Sequence, residues 1–220
     1  LGFMQPVLYS ACARVQDDPQ RIRKAYLMLM AGIALVVMPV FVSMAAVSNT
    51  LVLALYGQHW APAGEVLQPI ALAMPIALLW GITTPVLWNT GRATLEFKMQ
   101  LPLAGLWLIG ALWAVQHSLA TMAWMVLGLF LLRTLLFTVL ATRQISVSLG
   151  ECARVLRGGV VLSLLTALAA WGADRLLTDS LLGMQARLAI IVVTCGLTVT
   201  LVLRGLSDLI TPDLSTLLAN

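Results

Sequence analysis

Charged residues are scarce in this chain of 220 residues. Only 10% of its residues are charged, whereas 60% are hydrophobic and the mean hydropathy is +0.96. Soluble domains carry about 25% charged residues. The composition therefore excludes a disordered chain, a collagen-like chain and an ordinary soluble domain. It also predicts no nucleic-acid partner, although the pI is near 9.4.

Residues suited to metal or covalent chemistry are also few. The three cysteines, Cys12, Cys152 and Cys195, are widely spaced and form no CxxC pair, which argues against a disulfide framework or a zinc site. The two histidines, His59 and His117, belong to no HExxH pattern. The chain also has no glycine-rich phosphate loop. We therefore expect neither an enzyme active site nor a cofactor or metal.

Long uncharged runs, in contrast, are abundant. A membrane-spanning helix needs about 20 apolar residues. The last two of the six runs are short, and we expect Arg157 and Arg187 to extend them by snorkelling. Residues 1–13 resemble the end of a further helix, so we treat the chain as a fragment. The predicted fold is an all-α, polytopic helical membrane protein with six transmembrane helices and the end of a seventh. The runs are 25–47, 66–89, 99–115, 119–142, 158–173 and 188–203.

The basic residues indicate the orientation of these spans. Ten of the thirteen Lys and Arg residues lie in connectors on one side, whereas only Arg175 and Arg187 lie on the other. Because cytoplasmic loops carry the Lys/Arg excess, the first side is expected to be cytoplasmic, together with the C-terminus. None of the six runs contains Asp or Glu, so no intramembrane carboxylate for ion coupling is expected.

Arg133 is the one charged residue inside a run. A charge at the centre of a membrane helix costs about 2.5–3.5 kcal/mol on insertion scales. Its side chain should therefore face a watery cavity or a partner, and a guanidinium suits a phosphate. The alternative is a structural Arg that binds a carbonyl or a helix outside this chain.

Three further polar residues are candidates for lining a cavity. Gln68 and Asn89 bracket the run that contains Pro69, Pro75 and Pro85, where interhelical hydrogen bonds are the alternative. Arg92 follows that run and is either a head-group ligand or an anchor of topology. The tryptophans Trp80, Trp107, Trp113 and Trp124 are interpreted as interface anchors or lipid-facing bulk.

Residues 49–65 form the longest connector on the side with few basic residues. Tyr56 and Trp60 lie where an aromatic belt is expected. Gly57 permits a turn, and Pro62 is typical of the start of a helix.

Several stretches of the chain together resemble a known family. The resemblance covers about residues 1–92 and is to the polysaccharide-biosynthesis flippases of the multidrug/oligosaccharidyl-lipid/polysaccharide exporter superfamily, most closely the colanic-acid and O-antigen type. The stretches are PVLYSA (6–11), RVQDD (14–18), RIRKAY (21–26), LYGQHWAPA (55–63), VLQ (66–68) and NTGR (89–92).

The resemblance implies a fold, a substrate and partners. Members have fourteen helices in two lobes around a central cavity, so this chain would be the C-terminal lobe, and residues 1–13 would end the eighth helix. The implied activity is the flipping of an undecaprenyl-diphosphate-linked oligosaccharide across the bacterial inner membrane, with Arg133 attracting the diphosphate. The implied partners are the N-terminal lobe, membrane lipids, the lipid-linked oligosaccharide and polysaccharide polymerase machinery.

Two alternatives to flipping remain open. A multidrug exporter of the same superfamily would need ion-coupling carboxylates. A stand-alone six-span membrane protein, acting as an assembly partner or an enzyme, would need translation to begin near Leu1.

Overall fold

The computed structural model describes residues 19–178 and 183–205, and every regular element within these ranges is helical. The predicted end of a helix at residues 1–13 lies outside the described residues. The elements are α1 (Pro19–Gly32), a π-helical turn (Ile33–Val37), α2 (Met38–Ala46), α3 (Ser48–Tyr56), a 3-10 turn (Gln58–Trp60), α4 (Pro62–Gly81), α5 (Thr83–Asn89), α6 (Ala93–Ala114), α7 (Leu119–Gln144), α8 (Leu149–Leu176) and α9 (Met184–Gly205).

Six helical segments in the described residues are long and apolar enough to cross a membrane. The all-α, polytopic membrane architecture expected from the sequence is therefore confirmed. Each helical segment is longer than its uncharged run, because polar and charged residues next to the run are also helical. The segments are Gln20–Ala46, Pro62–Asn89, Ala93–Ala114, Leu119–Gln144, Leu149–Leu176 and Met184–Gly205.

Local capping signals set the helix boundaries. Gly57 ends α3 with φ +81°, a backbone conformation that glycine adopts without strain. Pro62 then starts α4, as the sequence predicted. Ser118 caps α7 by accepting a hydrogen bond from the Thr121 amide at 3.1 Å. Ser148 starts α8 with a reciprocal capping box to Glu151.

The first span (α1, the π-helical turn and α2) lies at the centre of the packing. It contacts α4 on one side and α8 on the other. α7 packs against α4, and α6 packs against α7, whereas α9 packs against α8. α6 and α9 lie at the two edges of the packing. Only 11% of the most apolar 18-residue window of α6 and 6% of that of α9 are buried, whereas 67% of that of Pro62–Asn89 is buried.

Small residues allow the first span to approach α8 closely. A Cβ added to Gly159 would lie 2.3 Å from the backbone carbon and oxygen of Ala34. Ser163 and Thr166 follow on the same buried face, and each satisfies its hydroxyl on a carbonyl of α8 itself. Because lipid tails supply no hydrophobic drive between helices, such close backbone contact is a main source of association.

Polar contacts at the two ends of α8 show that the first span and α8 run parallel. The start of the first span contacts the start of α8, and α3, which follows the first span, contacts the end of α8. Arg23 donates to Glu151 at 2.5 Å at one end. At the other end, Asp174 accepts from Thr50 of α3 at 2.7 Å and from Arg187 of α9 at 3.0 Å. We define the end with Arg23 as the basic-rich end and the end with Asp174 as the basic-poor end.

Prolines account for two irregularities in the spans. Pro39 cannot donate to the carbonyl of Leu35, and the π-helical turn lies directly before it, where the Met38 amide bonds to Ile33. The second break lies at Ile82, between α4 and α5. Pro85 follows it, and its ring would clash with the carbonyl four residues earlier.

We expect Gly159→Val to destabilise the bundle by at least about 1–3 kcal/mol, the usual cost of overpacking. The added methyl groups would collide with the backbone at Ala34, which cannot move aside as a side chain can. Gly172→Val is the matched control, because a Cβ at Gly172 meets nothing within 4 Å on the same helix. The measurement is the midpoint of thermal unfolding in detergent. Equal midpoints for the two variants would contradict this account of the packing.

Candidate functional site

Arg133 lies in the middle of α7, between α4 and α6. Its Nη2 atom donates to Oε1 of Gln100 at 2.6 Å, and its guanidinium carbon lies 3.7 Å from the ring centroid of Trp80. The ring of Phe137 lies further away, at 5.9 Å. A cation over an aromatic face contributes about 2 kcal/mol or more when it is shielded from water. Arg133 therefore has protein partners within this chain.

Glu96 of α6 places a carboxylate close to this cation. Its side chain is 6% exposed, and its two oxygens accept hydrogen bonds from Thr84, at 3.1 Å, and from the indole of Trp88. Glu96 and Gln100 are four residues apart, so they share one face of α6. Glu96 also interacts electrostatically with Arg133. The helix thus carries a buried carboxylate that the uncharged run 99–115 did not include.

Two polar hydrogens in this group lack hydrogen-bond acceptors. The Nε atom of Arg133 and the Nε1 atom of Trp80 are both buried and have no hydrogen-bond partner among the described residues. A buried donor without an acceptor costs about 1–3 kcal/mol. A ligand with acceptor oxygens would recover that energy. We call this group the Arg133 cluster; it comprises Trp80, Thr84, Trp88, Glu96, Gln100 and Arg133.

The other residues predicted for the cavity lie at opposite ends of one span. Gln68 is exposed on the second turn of α4, near the basic-poor end. Asn89 is half-buried at the end of α5, and Arg92 is exposed just before α6. Asn89 follows Gln68 by 21 residues, which correspond to about 30 Å at the helical rise. Gln68 therefore cannot share a small polar site with Asn89 or Arg92.

Sequence reasoning missed Glu96, Gln100 and the role of Trp80. Trp80 was interpreted as an anchor or lipid-facing bulk, but its ring lies against Arg133. A spacing of four residues was the available signal. It relates Thr84 to Trp88 on α5 and Glu96 to Gln100 on α6, so each of these pairs lies on one helix face, and it relates Trp80 to Thr84 across the break at Ile82.

Comparison with known proteins supports the resemblance proposed from the sequence. A family model for polysaccharide biosynthesis proteins matches residues 2–65. The teichuronic acid biosynthesis protein TuaB of Bacillus subtilis (strain 168) is 29% identical over 119 residues, which are 54% of this chain and 25% of TuaB. The lipopolysaccharide biosynthesis protein WzxC of Escherichia coli (strain K12) is 26% identical over 98 residues, 43% of this chain and 19% of WzxC.

These matches cover a quarter of one relative and about a fifth of the other. No solved structure matches the chain significantly. The predicted relationship to polysaccharide-biosynthesis proteins is confirmed. The helices of the described residues are those of a multi-pass membrane protein.

A double-mutant cycle tests whether Glu96 and Arg133 act as a pair. Glu96→Gln and Arg133→Gln should each lower the free energy of unfolding in mixed micelles. The double variant should lose less than the two losses added together, with a coupling energy of about 0.5–3 kcal/mol, because each single change leaves one buried charge without its counter-charge. The matched control pairs Arg133→Gln with Glu65→Gln, since Glu65 is exposed at the start of α4. Additive losses in the Glu96 cycle would show that the two charges are independent.

Proposed function

We propose that this chain is part of a flippase that moves an undecaprenyl-diphosphate-linked oligosaccharide across the bacterial inner membrane for surface-polysaccharide synthesis. The observation that carries the proposal is the match to polysaccharide biosynthesis proteins at residues 2–65, in a chain whose described part has six helices able to cross a membrane. The names of TuaB and WzxC refer to the biosynthesis of teichuronic acid and of lipopolysaccharide. The proposed activity is transport, and no enzymatic step is part of it.

The Arg133 cluster suits one part of such a substrate. A diphosphate presents several acceptor oxygens, and the buried Nε atom of Arg133 and the Nε1 atom of Trp80 are donors without acceptors. Arginine binds phosphate through two parallel hydrogen bonds, and Gln100 occupies one side of the guanidinium. The attraction between the Arg133 guanidinium and the diphosphate supports binding. The Glu96 carboxylate limits the strength of binding because it repels the diphosphate.

Alternating access requires a span that can bend. The span Pro62–Asn89 is 67% buried over its most apolar window and breaks at Ile82, within one helical turn of Trp80 and Thr84. We propose that this break lets α5 and α6 move relative to α4 when the lobes rock about the substrate.

The proposal includes partners and an orientation. The N-terminal lobe of the same protein would supply the other wall of the cavity, and the polysaccharide polymerase machinery would receive the product. Membrane lipids would surround both lobes. The basic-rich end would face the cytoplasm, and the C-terminus would lie on that side, in agreement with the positive-inside rule.

A multidrug exporter of the same superfamily is a second candidate, and Glu96 is the observation that favours it. A buried carboxylate next to aromatic rings can bind a cationic drug through charge and cation–π contacts. The six uncharged runs of the sequence contain no carboxylate, and Glu96 lies just before the run 99–115.

Changes at Arg133 should impair polymer export in the intact transporter. Arg133→Ala should abolish most export, and Arg133→Lys should retain part of it, because lysine keeps the charge but loses the paired donors and the stacking on Trp80. The measurement is surface polysaccharide at matched protein levels. Arg143→Ala, at an exposed position near the end of the same helix, is the matched control. Unchanged export in both Arg133 variants would exclude a role for Arg133 in binding the substrate.

Efflux of a cationic dye separates the two candidate functions. A flippase should give no dye efflux above that of cells without the protein, and Glu96→Gln should leave this background unchanged. A drug exporter should give efflux that Glu96→Gln reduces, together with normal surface polysaccharide in cells that lack the protein. The second pattern would show that the function is drug export and not flipping.

A further inference from the structure

A groove of about 960 Å³ lies at the basic-poor end of the bundle. It is lined by the end of α3, the 3-10 turn, the first turns of α4 and the start of α7. The two helices that line it, α3 and α4, are in close contact, because a Cβ at Gly64 of α4 would lie 2.9 Å from the Cα atom of Asn49 of α3. The groove is separate from the Arg133 cluster and shares no residue with it.

The walls of the groove are almost entirely hydrocarbon, and its rim is aromatic. Val52 and Ile70 line the groove, and so do Tyr56 and Trp60, whose ring centroids are 6.3 Å apart. Tyr56 is 66% exposed and Trp60 is 56% exposed. Tyrosine and tryptophan occupy this position in membrane proteins because their rings suit the level of the lipid head groups.

The segment of α4 that lines the groove is nearly as long as one leaflet is thick. From Pro62 to Ile70, α4 rises through eight residues, or about 12 Å. One leaflet of hydrocarbon is about 15 Å thick, half of the whole core. An apolar groove of this length that starts at head-group level can hold a lipid chain lying along the bundle.

The groove is also continuous with the surface of the bundle that faces lipid. Leu119, at its edge, is 76% exposed, and Val115 in the preceding turn is 70% exposed. Val115 belongs to the connection between α6 and α7, and Leu119 is the first residue of α7. α6 lies at the extreme of the packing with little protein around it. A lipid can therefore enter the groove sideways from the bilayer.

The polar groups at the groove select a type of head group. Glu65 contributes a carboxylate and His59 an imidazole. A carboxylate repels an anionic head group and attracts the ammonium of a zwitterionic one.

We propose that this groove is a binding site for one hydrocarbon chain of a zwitterionic phospholipid from the leaflet at the basic-poor end. The chain lies along α4 from Trp60 towards Ile70, and the head group lies beside Glu65. This site concerns the bilayer around the protein and does not depend on the proposed flipping activity.

Photo-crosslinking with lipids tests the site. The intact protein is reconstituted in vesicles that contain a phosphatidylcholine with a diazirine on its acyl chain, and adducts are mapped by mass spectrometry after illumination. Labelling of Val66, Ile70 and Leu119 should exceed that of the exposed Val192 and Val193 on α9 by about tenfold, which corresponds to about 1.4 kcal/mol of preferential binding. Even labelling of all exposed apolar positions would overturn the proposal.

Two variants and two further probes distinguish the alternatives. Ala63→Trp fills the groove and should remove the excess labelling, whereas Ala104→Trp, the same change at an exposed position of α6, should leave it intact. The phosphatidylglycerol form of the probe should label the groove less, and Glu65→Gln should remove this difference. Equal labelling by both head groups in the unchanged protein would overturn the assignment of a zwitterionic lipid. Labelling only by a polyprenyl-phosphate probe would assign the groove to the prenyl chain instead.

Discussion

The contact between Gly159 and the backbone of Ala34 is the constraint on which the rest of the bundle depends. It brings the first span and α8 together along a parallel path, with a polar contact from the first span at one end of α8 and one from α3 at the other end. The first span then presents its other side to α4, and α7 and α6 pack successively beyond α4. In a membrane, where burial of apolar surface gives no advantage between helices, a missing side chain at one position decides which helices can touch.

The same environment explains the composition of the Arg133 cluster. A bilayer offers no water to solvate a guanidinium, so the surrounding helices supply an amide oxygen, an aromatic face and a nearby carboxylate. These groups come from two helices, α4 and α6, that are neighbours of α7 in space. The compensation is incomplete, since two donors have no acceptor within residues 19–178 and 183–205. The proposed binding of an anion would use these donors.

The sequence predicted the membrane architecture well, because it depends on composition along single segments. Six uncharged runs correspond to six helices, and Gly57 and Pro62 mark boundaries that the structure reproduces. Arg133 also stood out, since one charge in an apolar run is visible in sequence. The partners of Arg133 could not be recognised from the sequence. Trp80 and Gln100 reach it from other helices, and which helices are neighbours depends on contacts such as that of Gly159, which a single sequence does not show.

The position of α6 at the edge of the bundle has a consequence for biogenesis. It has the lowest mean hydropathy of the six segments, 1.2, and it carries Glu96 and Lys98 in its first turns. A helix that enters the bilayer singly bears the cost of its own charges. The connection to α7 has only four residues, and α7 has a mean hydropathy of 2.1. Insertion of the two helices as one hairpin would bring Glu96 and Arg133 into the membrane together, as opposite charges, so that the polar cluster also eases the assembly of the protein.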